Sequence, residues 1–298
     1  MKIKLDQILH QKQTELSDSQ KERSIEDLKR MIRDAEPVRS FKSAISGEFG
    51  VIAEIKKRSP SMGEMRAENF SQALDAYKNS PAVKAVSVIT DSTNFGMDHS
   101  YLMKARQTGK PVLKKDFIQN EYGIYQARAY GADAVLLMAS VLRNRDLAKK
   151  LYDVAGECGL DVLYEAHSQE EINRIPDGVQ IYGINSRDFM KPWTLARFTQ
   201  PFRALLSLPD FTTQRKAFSL IAGLPPTAVK VAESGITPRN ISEVIKLGYH
   251  AALIGTSLLQ APQGIHKAVA EFEAAIPKSG PATNNPRPEQ PRPYPIHG

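Results

Sequence analysis

The chain has 298 residues, 41% of them hydrophobic, enough for a large core and close to the roughly 250 residues of a typical α/β barrel. Its single cysteine, Cys158, excludes an internal disulfide framework and any multi-cysteine zinc site, and no apolar run approaches the ~20 residues of a membrane helix. The net charge of +7 is scattered over helical Lys and Arg with no basic run interleaved with aromatics, which favours a solvated basic surface over a nucleic-acid face and is compatible with attraction of an anionic substrate. The opening Met1-Lys2-Ile3-Lys4-Leu5-Asp6 has no apolar stretch, so no secretory leader is expected and the cytoplasm is the expected location.

Residues 1–45 read as a helical extension packed on a barrel: Leu5, Ile8 and Leu9 recur at helical spacing, as do Ile25, Leu28, Met31 and Ile32. From 46 to 277, short β-branched runs alternate with amphipathic segments. Strands are expected near Val51–Lys56, Val83–Ile89, Pro111–Lys115, Ala134–Met138, Val162–Glu165, Val179–Ile184, Val229–Glu233 and Ala251–Ile254. Helical patterns such as Ser71–Tyr77, Tyr122–Ala129, Arg143–Cys158 and Pro238–Leu247 fall between them. Eight such repeats predict a (β/α)8 TIM barrel, with an open doubly wound sheet as the alternative. Residues 190–227 are too long for one connection and rich in aromatics, including Trp193, Phe198 and Phe218. Residues 278–298 carry Pro286, Pro288, Pro291, Pro293 and Pro295 with almost nothing apolar, so a disordered tail is expected there rather than a docking motif.

Strand side chains alternate faces, so Ile52, Glu54 and Lys56 share one side of the first strand. The same progression from apolar to polar recurs in Leu113 and Lys115, in Leu163 and Glu165, in Ile181, Gly183, Asn185 and Arg187, and in Val229, Val231 and Glu233. A single Lys or Glu at a strand end is usually just solvated. Five strands delivering polar groups to one mouth describe an active site at the carboxyl-terminal rim of a barrel. Glu233-Ser234-Gly235-Ile236 and Ile254-Gly255-Thr256-Ser257 each put glycine and hydroxyls between a strand and a helix. Either could be only a tight turn; together, after the last two strands, they read as a phosphate cradle.

At these motifs the sequence resembles the indole-3-glycerol phosphate synthase family. Ile52-Ala53-Glu54-Ile55-Lys56-Lys57-Arg58-Ser59-Pro60-Ser61 is similar to the family's first strand and loop, and Val112 to Ile118 to its third. Gly183 to Asp188 and Val231 to Ile236 resemble its sixth and seventh. Met62 and Gly123 depart from the family, which often has Lys and Gln there. The resemblance implies removal of carbon dioxide and water from 1-(2-carboxyphenylamino)-1-deoxyribulose 5-phosphate, without metal or organic cofactor. It implies Lys115 as general acid at the ribulose carbonyl, Glu165 as the base completing dehydration, and Lys56 as an anion partner and second acid. Glu54 would tune these ammoniums, Asn185 and Arg187 would hold the carboxylate-bearing ring, and Ser59 and Phe95 would line the site. Glu233 would orient lysine and substrate, while Ser234, Gly235, Gly255 and Thr256 would take the phosphate. Lys56 and Lys115, brought together in one mouth, are expected to depress each other's pKa.

The alternatives are another phosphate-binding barrel, such as phosphoribosylanthranilate isomerase or the α subunit of tryptophan synthase, and a catalytically silent barrel that binds a phosphometabolite or nucleic acid. Neither calls for Glu54, Lys56, Lys115 and Glu165 together. The expected partner is therefore a small phosphorylated substrate, with no nucleic acid and no membrane, for a monomer or homodimer.

Overall fold

A computed structural model describes residues 5–59, 63–65, 69–187 and 216–277. Eight parallel strands close into a barrel: β1 (Gly50–Ile55), β2 (Val83–Ile89), β3 (Val112–Lys115), β4 (Ala134–Met138), β5 (Asp161–Ala166), β6 (Ile181–Asn185), β7 (Val229–Glu233) and β8 (Ala251–Ile254). Each strand pairs with the next, and β1 closes on β8 with Ile52 beside Leu253. The open doubly wound sheet is thereby excluded.

Both faces of the strands are buried. Inside, Ile52, Leu113, Leu136, Leu163, Ile181, Val231 and Leu253 fill the barrel. Outside, Val51, Ile55, Val86, Val135 and Tyr164 pack against helix residues such as Tyr77, Leu102, Ile124, Leu151 and Phe272. The two sets have opposite parity along each strand, as a pleated sheet between two apolar layers requires.

The amino-terminal segment forms three helices, α1 (Leu5–Glu22), α2 (Ile25–Arg33) and α3 (Phe41–Ile45). They grip both ends of the barrel. On α3, the Lys42 amide donates to Asp161 at the start of β5, and Phe41 and Ile45, both fully buried, join the interior cluster from below. Truncating Phe41 there would cost about 3–5 kcal/mol. Helix α2 begins at a capping box, Ser24 with Asp27, and packs Leu28 on Tyr122. At the opposite end, Lys12 of α1 reaches the Thr90 carbonyl (3.0 Å) and Asp116 (2.8 Å), just beyond β2 and β3.

Strand β6 begins two residues later than the expected start at Val179, because Gly178 turns the chain at φ 87°. Within the long β6–β7 connection, a 3-10 turn spans Ser219–Gly223 and Phe218 is buried against Tyr249. Residues 188–215, which include Trp193, Phe198, Phe202 and Phe211, and the Pro-rich stretch 278–298 lie outside the described residues. Among the described residues no helix is long and apolar enough to cross a membrane.

Candidate active site

A cavity of about 270 Å³ opens at the carboxyl-terminal rim. Glu54, Lys56, Phe95, Lys115, Glu165, Asn185, Arg187, Ser234, Gly235, Gly255 and Thr256 line it, each at or beyond the end of a strand. Glu233, fully buried, sits directly behind this lining against Lys115. Ser59 pairs through its backbone with Gly63 in a two-residue ribbon after β1, and its expected place in the lining lies outside the described side chains.

Period-two alternation explains the convergence. Glu54 follows Ile52 on the inner face, Glu165 follows Leu163, and Glu233 follows Val231. Two glycines leave room for the charged groups. A Cβ on Gly183 would lie 2.1 Å from Glu233 Oε1, and one on Gly255 would lie 2.3 Å from Glu54 Oε1 and 3.2 Å from Lys56 Nζ. Gly255 therefore makes space for the Glu54–Lys56 pair, a role that comes in addition to the close approach to phosphate expected of it.

Lys115 is the hub. Its Nζ lies 3.0 Å from Glu233 Oε2, 3.6 Å from Glu165 Oε2 and 3.9 Å from Glu54 Oε2. Lys56 Nζ donates to Glu54 Oε1 at 2.6 Å. Burial works against the Lys115 ammonium, but Glu233, Glu165 and Glu54 outweigh it and raise its pKa well above the ordinary lysine value. The expected mutual depression of Lys56 and Lys115 is thus overturned for Lys115, because three carboxyl groups lie within 4 Å of its ammonium. Its neighbour Lys114 is depressed instead, lowered to about 8 by burial; it points out of the barrel and donates to Gln126 at 2.9 Å.

The carboxylates diverge. Burial pushes Glu54 up, but Lys56, Lys115 and Arg187 prevail and hold it below the usual range. Glu165 and Glu233 are buried side by side with one ammonium between them. Burial and the adjacent Glu165 raise Glu233 against the pull of Lys115; Glu165, despite burial, is lowered by Lys115 and His167. The two buried carboxyls are thus driven apart, Glu165 toward the ionised form and Glu233 toward the protonated one, a division that suits a base beside a hydrogen-bond donor.

The loops complete the mouth. The Arg187 amide donates to Asn185 Oδ1 (3.0 Å), and Ser186 Oγ donates to the Ser234 carbonyl (3.1 Å). Ser234 and Gly235 both adopt left-handed backbone, φ 69° and 68°; serine rarely does so, and the turn after β7 depends on it. Ser257 Oγ donates to the Ile236 carbonyl at 2.7 Å, which joins the turns after β7 and β8 side by side.

Three residues near the site are absent from the sequence-derived set. His167 sits 3.5 Å from Glu165, and the parity of Leu163 and Glu165 carried one step further would have found it. Asp116 lines the cavity while accepting from Thr90 Oγ1 (2.8 Å) and pairing with Lys12. Lys12 comes from a helix far away in sequence and carries no local signal.

A closed eight-stranded parallel barrel with ionisable groups gathered at its carboxyl rim and paired turns after β7 and β8 defines an acid–base enzyme of the TIM-barrel class. Solved barrels share this fold: a "Native KDPGal structure" superposes with a TM-score of 0.51 at 16% identity over 77% of this chain and 95% of that one. A 3-hexulose-6-phosphate synthase crystal structure superposes with a TM-score of 0.50 at 14% identity, over 77% of this chain and all of that one. Sequence relatives are more specific. The family model for indole-3-glycerol phosphate synthase matches residues 5–195. Indole-3-glycerol phosphate synthase of Bacteroides thetaiotaomicron is 35% identical over 266 residues, covering 88% of this chain and 95% of that protein. The Neisseria meningitidis protein of the same name is 35% identical, over 86% of this chain and 94% of its own length. The chain belongs to the indole-3-glycerol phosphate synthase family.

Proposed function

We propose that this cavity closes the indole ring of 1-(2-carboxyphenylamino)-1-deoxyribulose 5-phosphate, releasing carbon dioxide and water and leaving indole-3-glycerol phosphate for tryptophan biosynthesis. The observation that carries the reading is Lys115: a protonated amine within 4 Å of three buried carboxylates, at the mouth of a barrel whose chain belongs to this family.

The ring carbon that bears the carboxylate attacks the ribulose carbonyl, so negative charge gathers on the carbonyl oxygen. Lys115 donates a proton there. Its raised pKa is no obstacle, because the alkoxide that would otherwise form is a stronger base than an amine. Attack leaves positive charge on the ring and its nitrogen, which the ionised Glu54 favours. Loss of carbon dioxide restores aromaticity. Lys56, the second acid, protonates the new hydroxyl, which leaves as water while Glu165 takes a proton from the adjacent ring carbon, and the pyrrole ring is complete.

Lys56 and Arg187 pair with the anionic groups, Asn185 orients the ring-bearing end, Phe95 lines the apolar wall and Glu233 holds Lys115 in place. The phosphate lies across the turns at Ser234-Gly235 and Gly255-Thr256, where backbone amides supply most of the binding. No step calls for a metal or organic cofactor. The chain acts in the cytoplasm as a monomer or homodimer, with neither nucleic acid nor membrane as partner.

Glu165→Gln tests the assignment of the base. The amide keeps the shape but cannot accept a proton, so kcat falls by at least ~10²-fold with KM nearly unchanged. A raised KM with normal kcat would make Glu165 a binding residue only.

A further inference from the structure

His167, just beyond β5, stands between two carboxylates. Its Nε2 is 3.5 Å from Glu165 Oε1, and its Nδ1 is 3.1 Å from Glu171 Oε2. The same Glu171 oxygen accepts the His167 backbone amide at 2.7 Å. Glu171 is itself fixed, since its amide donates to Oγ of Ser168, the cap of the short helix Gln169–Arg174. Helix start, carboxylate and imidazole thus form a chain that ends on Glu165.

Both ring nitrogens face carboxylate oxygens. A neutral imidazole carries one N–H and would turn a lone pair toward one of them; only the doubly protonated ring presents a hydrogen to each. The opposite side of Glu165 explains the need. Lys115 is shared among Glu54, Glu165 and Glu233, and one ammonium does not keep two adjacent buried carboxyls ionised.

We propose that His167, oriented by Glu171, is the second cation that, with Lys115, keeps Glu165 ionised beside Glu233, and so is a positioning residue for the base. Among the described residues, the charged groups that face it are Glu165 on β5, Glu171 on the following helix and Glu233 on β7. Burial lowers the pKa of the ring, yet Glu171 and Glu165 more than compensate and lift it to about 9, so it stays charged through the neutral range. The catalytic consequence rests on the reading of Glu165 as the base; the electrostatic one does not.

The test is a pH titration of protein labelled with carbon-13 at the glutamate carboxyls and followed by NMR, with the Glu165 signal identified by its absence in Glu165→Gln. In His167→Gln the Glu165 midpoint should rise by about one pH unit or more, the scale of an opposite charge at this range. The acidic limb of kcat/KM should move to higher pH by the same amount. Glu171→Gln leaves the ring but removes its anchor, and should move both readings in the same direction; it supplies the measurement if His167→Gln does not fold. The double variant should be no worse than His167→Gln alone. An unmoved midpoint in both single variants overturns the proposal, even if activity falls. If the midpoint moves while Glu165→Gln retains wild-type kcat, His167 has the proposed electrostatic role and the base has been wrongly assigned.

Discussion

Replacing Lys115 by methionine keeps the aliphatic stem and deletes the charge, leaving Glu54, Glu165 and Glu233 around an apolar tip. At an effective dielectric of ~20, the gross attraction across the 3.6 Å contact to the ionised Glu165 is about 5 kcal/mol, largely offset by desolvation. Breaking one partner out of a buried ion pair costs a net ~3–5 kcal/mol. In a barrel of this size that corresponds to a Tm lower by about 10 °C. The loss has a definite sign with pH. In the native protein Glu54 and Glu165 are held below their ordinary pKa, so their contribution is present above the unfolded carboxylate range and disappears as pH falls through the folded value. Without Lys115 the buried carboxyls shift upward instead, and the variant is penalised most where they would be ionised. The Tm deficit of Lys115→Met should therefore be large at about pH 8 and shrink toward about pH 5, as protons replace the missing cation. Calorimetry at both pH values reads it, and turnover at about pH 7.5 should fall by at least ~10²-fold. A deficit equal at the two pH values would refute the charge cluster. Turnover above about a tenth of the native rate would refute Lys115 as an essential acid.

Gly255→Ala would place a methyl 2.3 Å from Glu54 Oε1 and so displace the Glu54–Lys56 pair; kcat should drop while circular dichroism stays normal, and an unaffected kcat would mean the pair is not needed where it stands. Thr256→Ala should weaken phosphate binding only modestly, because amides dominate such sites, and inorganic phosphate or sulfate should compete with substrate in both forms. Failure of either anion to compete would put the phosphate elsewhere.

The barrel was legible because parallel strands buried on both faces are written as short β-branched runs. The bounds of β2, β4, β7 and β8 coincide with expectation, while β6 begins two residues later because a left-handed glycine decides where the turn ends. Glu54, Lys115 and Glu165 were readable from parity alone, since each extends an inward apolar position by two. His167 obeys the same parity but lies past the end of β5, where alternation is not guaranteed to continue. Asp116 shows why: β3 ends at Lys115, and beyond the strand alternation no longer predicts direction. Lys12 marks another kind of limit, for only the packing of α1 over the rim brings it to Asp116. The raised pKa of Lys115 depends on three carboxylates from β1, β5 and β7, and their distances are a property of barrel closure rather than of any local pattern.

The proposed reaction can be read in a single experiment: mixing the purified protein with 1-(2-carboxyphenylamino)-1-deoxyribulose 5-phosphate and following indole fluorescence, with carbon dioxide measured in parallel. Fluorescence should rise on mixing, one carbon dioxide should appear for each indole formed, and both signals should be lost in Lys115→Met. A folded protein that binds the compound yet yields neither fluorescence nor carbon dioxide would contradict the ring closure proposed for this cavity.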